Sequence, residues 1–343
     1  MTGADDLEKE GVYSKRLGAI SPDQFQAALE RLGLGDFVRA EPISSGLFGQ
    51  NVFVTSTEGK FVLRGAPHYP WQFPTEQFFV EQMHQRTQVP VPYPYILERS
   101  EDIFGWSFAV MPRLEGVALM DEAVATGLTA EDRPAISRAM AQALVEMQSL
   151  TWDRAGKYDP ETGSVQAFEG GYWAWVVERI RTKMSESSSY NDHTTDSDVQ
   201  WAESVIAEAM PVFDSPYRPC VVHADYGEHN VVVKRAEGGW QVGGVFDWMT
   251  AHFGDGAADL SLSVTMYLGR EPALADTFVQ AYLEHKPARS GFVELQQLYM
   301  LNLKLSFWEY WQREKGRLPQ DETGTLAFEQ WAGPSVTYWE KYR

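Results

Sequence analysis

His223, Asp225 and Asn230, with Asp247 further along, are the residues whose types and spacing could do chemistry. In VVHADYGEHNVVV (residues 221–233) an apolar run ends at His223, and Asp225 stands on the loop that follows. Asn230 comes five residues later, where a second apolar run starts. Asp247 ends a third run, Val242 to Phe246, and a Gly254-Asp255-x-x-x-Asp259 sequence lies behind it. Phosphoryl transfer to a hydroxyl needs few parts: a carboxylate to accept the hydroxyl proton, hard oxygen ligands for Mg²⁺, and a cation against the α- and β-phosphates. Asp225 suits the first role. Asn230 and Asp247 suit the second, because one neutral and one charged oxygen leave coordination positions for phosphate and water.

These segments resemble the signature of the aminoglycoside phosphotransferase family, relatives of choline kinases and protein kinases. The variant H-A-D-[YF]-G-x-x-N-V with D-W-x-x-A-x-F-G-D is particularly similar to hygromycin B phosphotransferases. The resemblance is sharp over residues 221–261 and extends over most of the chain in the order of elements. It implies an α+β, two-lobed protein-kinase-like fold with a small strand-rich N-lobe and a larger helical C-lobe. It also implies transfer of the γ-phosphate of ATP or GTP to a hydroxyl, with Mg²⁺. Carried over by position, Asp225 is the catalytic aspartate, and Asn230 and Asp247 are the Mg²⁺ ligands. His223 packs under the catalytic loop, and Asp259 buttresses its backbone.

The nucleotide side follows the same resemblance. Phe61-Val62-Leu63-Arg64 stands where many relatives have a strand ending in lysine. Arginine still supplies a permanent charge and paired donors for phosphate oxygens. Glu76 on the next helix is the expected carboxylate partner, with Glu81 as competitor. The tip Ser44 to Asn51, carrying Gly46 and Gly49, could cover phosphates with backbone N–H groups, although G-x-G-x-x-G spacing is absent. Val110-Met111-Pro112-Arg113 resembles the linker between lobes, which places Met111 and Arg113 beside the nucleotide base. The sequence has no G-x-x-x-x-G-K-[ST], which excludes a P-loop NTPase.

The elements that must position these residues can be read coarsely. Residues 1–20 read as a flexible tail. Ser21-Pro22 opens a helix with Phe25, Ala28, Leu29 and Leu32 on one face, and Gly33 and Gly35 end it. Strands are expected at 51–55 and 60–64 around a turn at Glu58-Gly59, a helix at 74–87, and strands at 93–98 and 106–111. This gives a nucleotide-binding N-lobe over 21–112 and a helical C-lobe over 113–343. In the latter, helices are expected at 132–150, 170–184 and 200–209, and throughout after Gly256. Short strands are expected at 220–222, 230–233 and 242–246. The polar stretch 185–198 lacks periodicity and reads as a mobile loop.

Acids outnumber bases by 48 to 29, a formal charge of −19, which disfavours nucleic acid and favours a cationic partner. No apolar window is long enough for a membrane helix. A single cysteine, Cys220, excludes an internal disulfide framework, and the acidic start MTGADDLEKE speaks against a secretory signal. A cytoplasmic protein is expected; its oligomeric state is not fixed by the sequence.

The acceptor implied is a hydroxyl of an aminoglycoside or aminocyclitol, making this a resistance-type kinase. The candidate acids are Glu228, Asp255 and Glu309, with Asp192, Asp196 and Asp198 in the polar stretch. Trp173 and Trp175, or Trp308, Tyr310 and Trp311, could instead cage a quaternary ammonium; at helical spacing they also suit a packed core. Choline, a sugar, a nucleoside or another natural product would then be the acceptor. A silent nucleotide-binding module is the reading from outside enzymology, against which the full set Asp225, Asn230 and Asp247 stands.

Overall fold

The computed structural model describes residues 12–43, 49–190, 193–316, 318–322 and 324–343. Its contacts gather into two compact units. The first takes the chain up to Thr129 together with Tyr158–Ser164 and Glu228–Ala251. The second takes Ala130–Lys157, Val165–Gly227 and His252–Arg343.

The first unit is built on a five-stranded antiparallel sheet. Its strand order is Phe37–Pro42, Asn51–Ser56, Lys60–Gly65, Phe108–Pro112, Ile96–Glu98. Alternate residues Val52 and Val54 point into the core while their neighbours do not, the period-two pattern of a strand with one wet face. The helix Pro22–Leu32 covers that core. Ser21 and Gln24 form a reciprocal capping box at its start, and Gly33, at φ 67°, closes its end. Phe25, Ala28 and Leu29 pack with Leu17, Ile20, Val54, Leu63, Phe108 and Val110.

The flexible tail expected over residues 1–20 is not what is found from Val12 onward. Val12–Ser14 pairs with Gly18–Ala19, and Leu17 and Ile20 are buried in the sheet–helix core. Two isolated apolar residues show no periodicity, so only the tertiary partner reveals their burial. A second small sheet of this unit runs Gly239–Val245, Val231–Ala236, Val117–Ala118.

The second unit is helical. Phe292–Tyr310 packs against Tyr172–Tyr190, Asp196–Ala209 and Phe328–Thr337, and is buried on more than one side, at Leu295, Leu298, Tyr299, Met300, Leu301, Leu305 and Trp308. Asp132–Met147 packs on Pro272–His285. Cys220–Val222 pairs antiparallel with His252–Gly254.

The mobile loop expected over 185–198 is mostly helix. Tyr172–Tyr190 runs straight through the serine run. Ser188 donates back to the Met184 carbonyl, and Ser187 donates to Gln312 and contacts the Thr194 hydroxyl. Thr195 then caps Asp196–Ala209 in a capping box with Asp198. Low helix propensity is here overridden by the bonds that Ser187 makes to Gln312 and Thr194 beyond the helix. One further departure is the short strand pair Gln320–Asp321 and Gly324–Thr325 where only helices were expected.

Because Ile20 is 4 % exposed and belongs to the main core of the first unit, Ile20→Ala should cost about 2–5 kcal/mol in urea unfolding. A loss within about 0.5 kcal/mol, the scale of a surface change, would mean that this segment does not dock.

Candidate active site

In the first unit the chemistry gathers on Arg64, the penultimate residue of the strand Lys60–Gly65. Its side chain is buried. Nη1 donates to both carboxylate oxygens of Glu76, at 2.9 and 2.8 Å, and Nη2 donates to Asp247 Oδ1 at 3.0 Å. Glu76 rather than Glu81 therefore receives the arginine. Glu76 is fully buried on the helix Gln72–Arg86. It also accepts from the Tyr95 hydroxyl at 2.9 Å and from the Trp248 backbone N–H at 3.2 Å. Burial pushes the Glu76 carboxyl up, and Arg64 pulls it back. Burial lowers Arg64 too, but Asp247 and Glu76 more than offset that and hold its pKa above the ordinary value.

Asp247 sits at φ 67°, ψ 57°, a left-handed conformation that an aspartate adopts more readily than most residues. The Phe246 N–H donates to the Asn230 carbonyl at 3.1 Å, next to the register pair Val231–Val245. Asn230 and Asp247 thus flank the same end of one strand pair. No group of three or more His, Cys, Asp or Glu among the described residues could hold a metal. An amide and a carboxylate fit a hard cation such as Mg²⁺ that keeps most of its positions for phosphate and water oxygens. Asn230 and Asp247 would hold it.

Gly49 takes φ 59°, and its carbonyl accepts from the Ser14 hydroxyl. The N-terminal strand pair thus holds the base of the glycine-bearing tip. Gly46 lies outside the described residues, as do Ser44, Ser45, Leu47, Phe48 and Asp192. Met111 is buried opposite Val62, and the pairing from Ile96–Glu98 reaches only to Val110. Arg113 is exposed and lies over the Phe53 ring, 3.7 Å from its centroid.

In the second unit the loop after Cys220–Val222 is held by Asp259. Its two oxygens accept from the backbone N–H groups of His223 and Ala224, each at 2.8 Å. Ala224 is at φ 67°, a conformation an alanine adopts only when its surroundings impose it. The Asp225 N–H donates to Nδ1 of the buried His223 ring at 3.3 Å. Burial pushes Asp259 up to about 7, with the Asp225 charge adding to it and the two backbone bonds opposing.

Of the acids expected to face a cationic acceptor, Asp255, Asp198 and Glu309 have partners within the second unit. Asp255 is buried, receives Arg289 and the Tyr299 hydroxyl, and accepts from the Ala257 N–H. Asp198 is buried in its capping box and accepts from the Glu329 N–H at 2.7 Å. Glu309 receives Arg313 at 2.8 Å, and Asp196 lies in a first helical turn. Glu228, in the first unit, is half-buried in the short turn Glu228–Asn230. Trp173 and Trp308 are core residues, with indole N–H groups on Tyr299 and Thr194. Trp175 is half-buried, but Lys157 and Arg179 already lie against its ring. Tyr95, Lys157, Arg179 and Lys183 went unnoticed in the sequence.

The model of a phosphotransferase enzyme family matches residues 39–292. The chain belongs to that family. Among solved structures, the phosphotransferase is similar to aminoglycoside phosphotransferase APH(4)-Ia, with TM-score 0.61 and 17 % identity over 94 % of this chain and 99 % of that one. It is similar to aminoglycoside 2′-phosphotransferase-IIIa, solved with GDP, with TM-score 0.59 and 12 % identity over 96 % and 99 %. Choline kinase LicA from Streptococcus pneumoniae gives TM-score 0.55 and 13 % identity over 92 % and 98 %. At such identities the likeness establishes the kinase-like α+β fold. A stretch of 187 residues is 26 % identical to the Arabidopsis thaliana protein named "Probable acyl-CoA dehydrogenase IBR3", covering 54 % of this chain and 21 % of that protein. The phosphotransferase therefore aligns with about a fifth of the length of this curated relative. No helix among the described residues is long and apolar enough to cross a membrane.

Two outcomes are expected from this geometry. Glu76→Ala leaves Arg64 buried with Asp247 alone and should cost about 3–5 kcal/mol of unfolding free energy; urea titration checks it. Asp259 binds its proton up to about 7 when folded, against an ordinary 3.8. The unfolded chain binds fewer protons across that window, so this group makes stability fall as pH rises through it. Asp259→Asn should flatten the decline. Equal slopes in the two proteins would remove Asp259 as the source.

Proposed function

We propose that this phosphotransferase moves the γ-phosphate of ATP or GTP to a hydroxyl of a small molecule. The observation that carries the reading is Arg64, buried and held between Glu76 and Asp247, with Asn230 at the same strand-pair end as Asp247. Nucleotide binding is further supported by relatives solved with ADP and GDP. Arg64 meets the α- and β-phosphates. The tip bearing Gly46 and Gly49 covers them, and the backbone near Met111 and Arg113 takes the base. Mg²⁺, held by Asn230 and Asp247, supplies positive charge against the phosphate oxygens. Asp225 accepts the hydroxyl proton as that oxygen attacks the γ-phosphorus in line, and the nucleoside diphosphate leaves.

The acceptor reading drawn from the sequence is an aminoglycoside or aminocyclitol. It is supported by the hygromycin-type motif, the charge of −19 and the complex of APH(4)-Ia with ADP and hygromycin B. A specific observation favours a second reading, an acceptor that itself carries an anionic group. Asp255 and Asp198 are used within the fold, whereas Lys157 and Arg179 share one half-buried ring, that of Trp175, in the second unit.

Asp225→Ala should lower turnover by ~10²–10⁴-fold with nucleotide affinity retained, the scale of a lost acid–base group. Transfer of labelled phosphate from ATP and GTP to a panel of hydroxyl compounds measures it. Turnover close to wild type would end the role given to Asp225.

A further inference from the structure

Trp175, Arg179 and Lys183 follow one another at four-residue spacing on the helix Tyr172–Tyr190, and so form a single stripe along it. Lys157 reaches the same ring from a different element. Its Nζ is 5.1 Å from the Trp175 centroid, and Arg179 Cζ is 4.9 Å from it. Lys183 donates to the Ser306 hydroxyl on the helix Phe292–Tyr310. Two elements thus carry three cations on one face of the second unit, and a third element holds Lys183 through Ser306.

Among the described residues, none of the three has a carboxylate at ion-pair distance. Arg179 Nε is buried with no hydrogen-bond partner. The acids nearest in charge are Glu309, felt by Arg179 and Lys183, and Glu186, felt by Lys183. Glu309 already receives Arg313, and neither reaches the cluster as an ion pair. Burial pushes Lys183 down to about 8 with the charge of Arg179 adding to it, and Lys157 is lowered for the same two reasons. Like charges four residues apart on a helix are unfavourable. In a chain with 48 acids and 29 bases, leaving three cations together without an acid is the arrangement of a site whose counter-charge arrives with a ligand. Arginine offers a planar fork to an oxyanion, and lysine adds a movable point charge.

We propose that Lys157, Arg179 and Lys183 form an oxyanion-binding site that takes a phosphate or carboxylate group carried by the acceptor. The assignment to the acceptor rests on the phosphotransferase reading above; the anion site itself does not. Ser306 holds the Lys183 ammonium in place, and Trp175 is the platform on which Lys157 and Arg179 lie.

The test uses the full chain saturated with ADP and Mg²⁺, which fills the α- and β-phosphate positions; an anion bound where the γ-phosphate sits would not respond to Arg179→Gln or Lys183→Met. Titration with inorganic phosphate and pyrophosphate, followed by calorimetry, should show binding that weakens about tenfold or more in Arg179→Gln and in Lys183→Met. Melting temperatures of both variants establish that they are folded, and Lys183→Met keeps the aliphatic stem. Unchanged anion affinity in both folded variants overturns the site. Failure of the chain to bind ADP at all would instead count against the phosphotransferase reading, while the phosphate titration still decides the site. In a second arm, labelled phosphate transfer is compared between paired hydroxyl compounds that differ by one phosphate or carboxylate group. A preference for the anionic member that Arg179→Gln removes, through KM rather than kcat, supports the acceptor assignment. Anion binding together with preferred transfer to hygromycin B, unaltered by Arg179→Gln, overturns that assignment and gives the site to a free oxyanion.

Discussion

The first unit depends on where one guanidinium is held. Arg64 sits in the interior, and its charge is tolerable there only because two carboxylates meet it. Glu76 is fixed in turn by three donors: Arg64, Tyr95 and the Trp248 backbone. Through these bonds the strand Lys60–Gly65, the helix Gln72–Arg86 and the turn at Asp247 are tied to one point. A lysine could reach one of those acids. The arginine places different nitrogens on each and stays charged under burial. The arrangement also directs one oxygen of Asp247 at a cation.

The second unit solves a related problem with a carboxylate. The chain must turn sharply after the strand Cys220–Val222, and it does so with Ala224 in a left-handed conformation. Two backbone N–H groups would be left without partners inside the protein; Asp259 accepts both. The cost of burying that acid is visible in its raised pKa. Strain at Ala224 and desolvation at Asp259 are both local losses that fix the backbone next to Asp225.

The sequence made much of this legible, for identifiable reasons. Ser21, Pro22 and Gly33 bound a helix because caps and breakers act within a few residues. The strands Asn51–Ser56 and Lys60–Gly65 follow from alternation and a glycine turn. The loop from His223 to Asn230 is marked by the types of its residues. What escaped depends on distant partners. Leu17 and Ile20 are buried by a sheet that begins about twenty residues later. The serine run 185–190 is helical because Ser187 is bonded to Thr194 and Gln312. Tyr95 has no local pattern at all that could announce its bond to Glu76. Thr195-x-x-Asp198, by contrast, is a capping box whose signal is local to the sequence.

Net charge is the inference that travels least well from sequence to site. A formal −19 describes the field far from the molecule. At physiological salt that field is screened over about 8 Å, so a bound molecule responds to the few groups beside it. Four of the 48 acids counted in the sum are occupied inside the fold: Glu76 by Arg64, Asp198 and Asp259 by backbone N–H groups, Asp255 by Arg289 and Tyr299. An acid paired with a cation, as Glu76 and Asp255 are, has much of its charge offset within the fold. Among the described residues, Lys157, Arg179 and Lys183 near Trp175 are cations with no carboxylate at ion-pair distance. The proposed anion site rests on Lys157, Arg179 and Lys183 as local groups, and the excess of aspartate and glutamate over the whole chain does not argue against it.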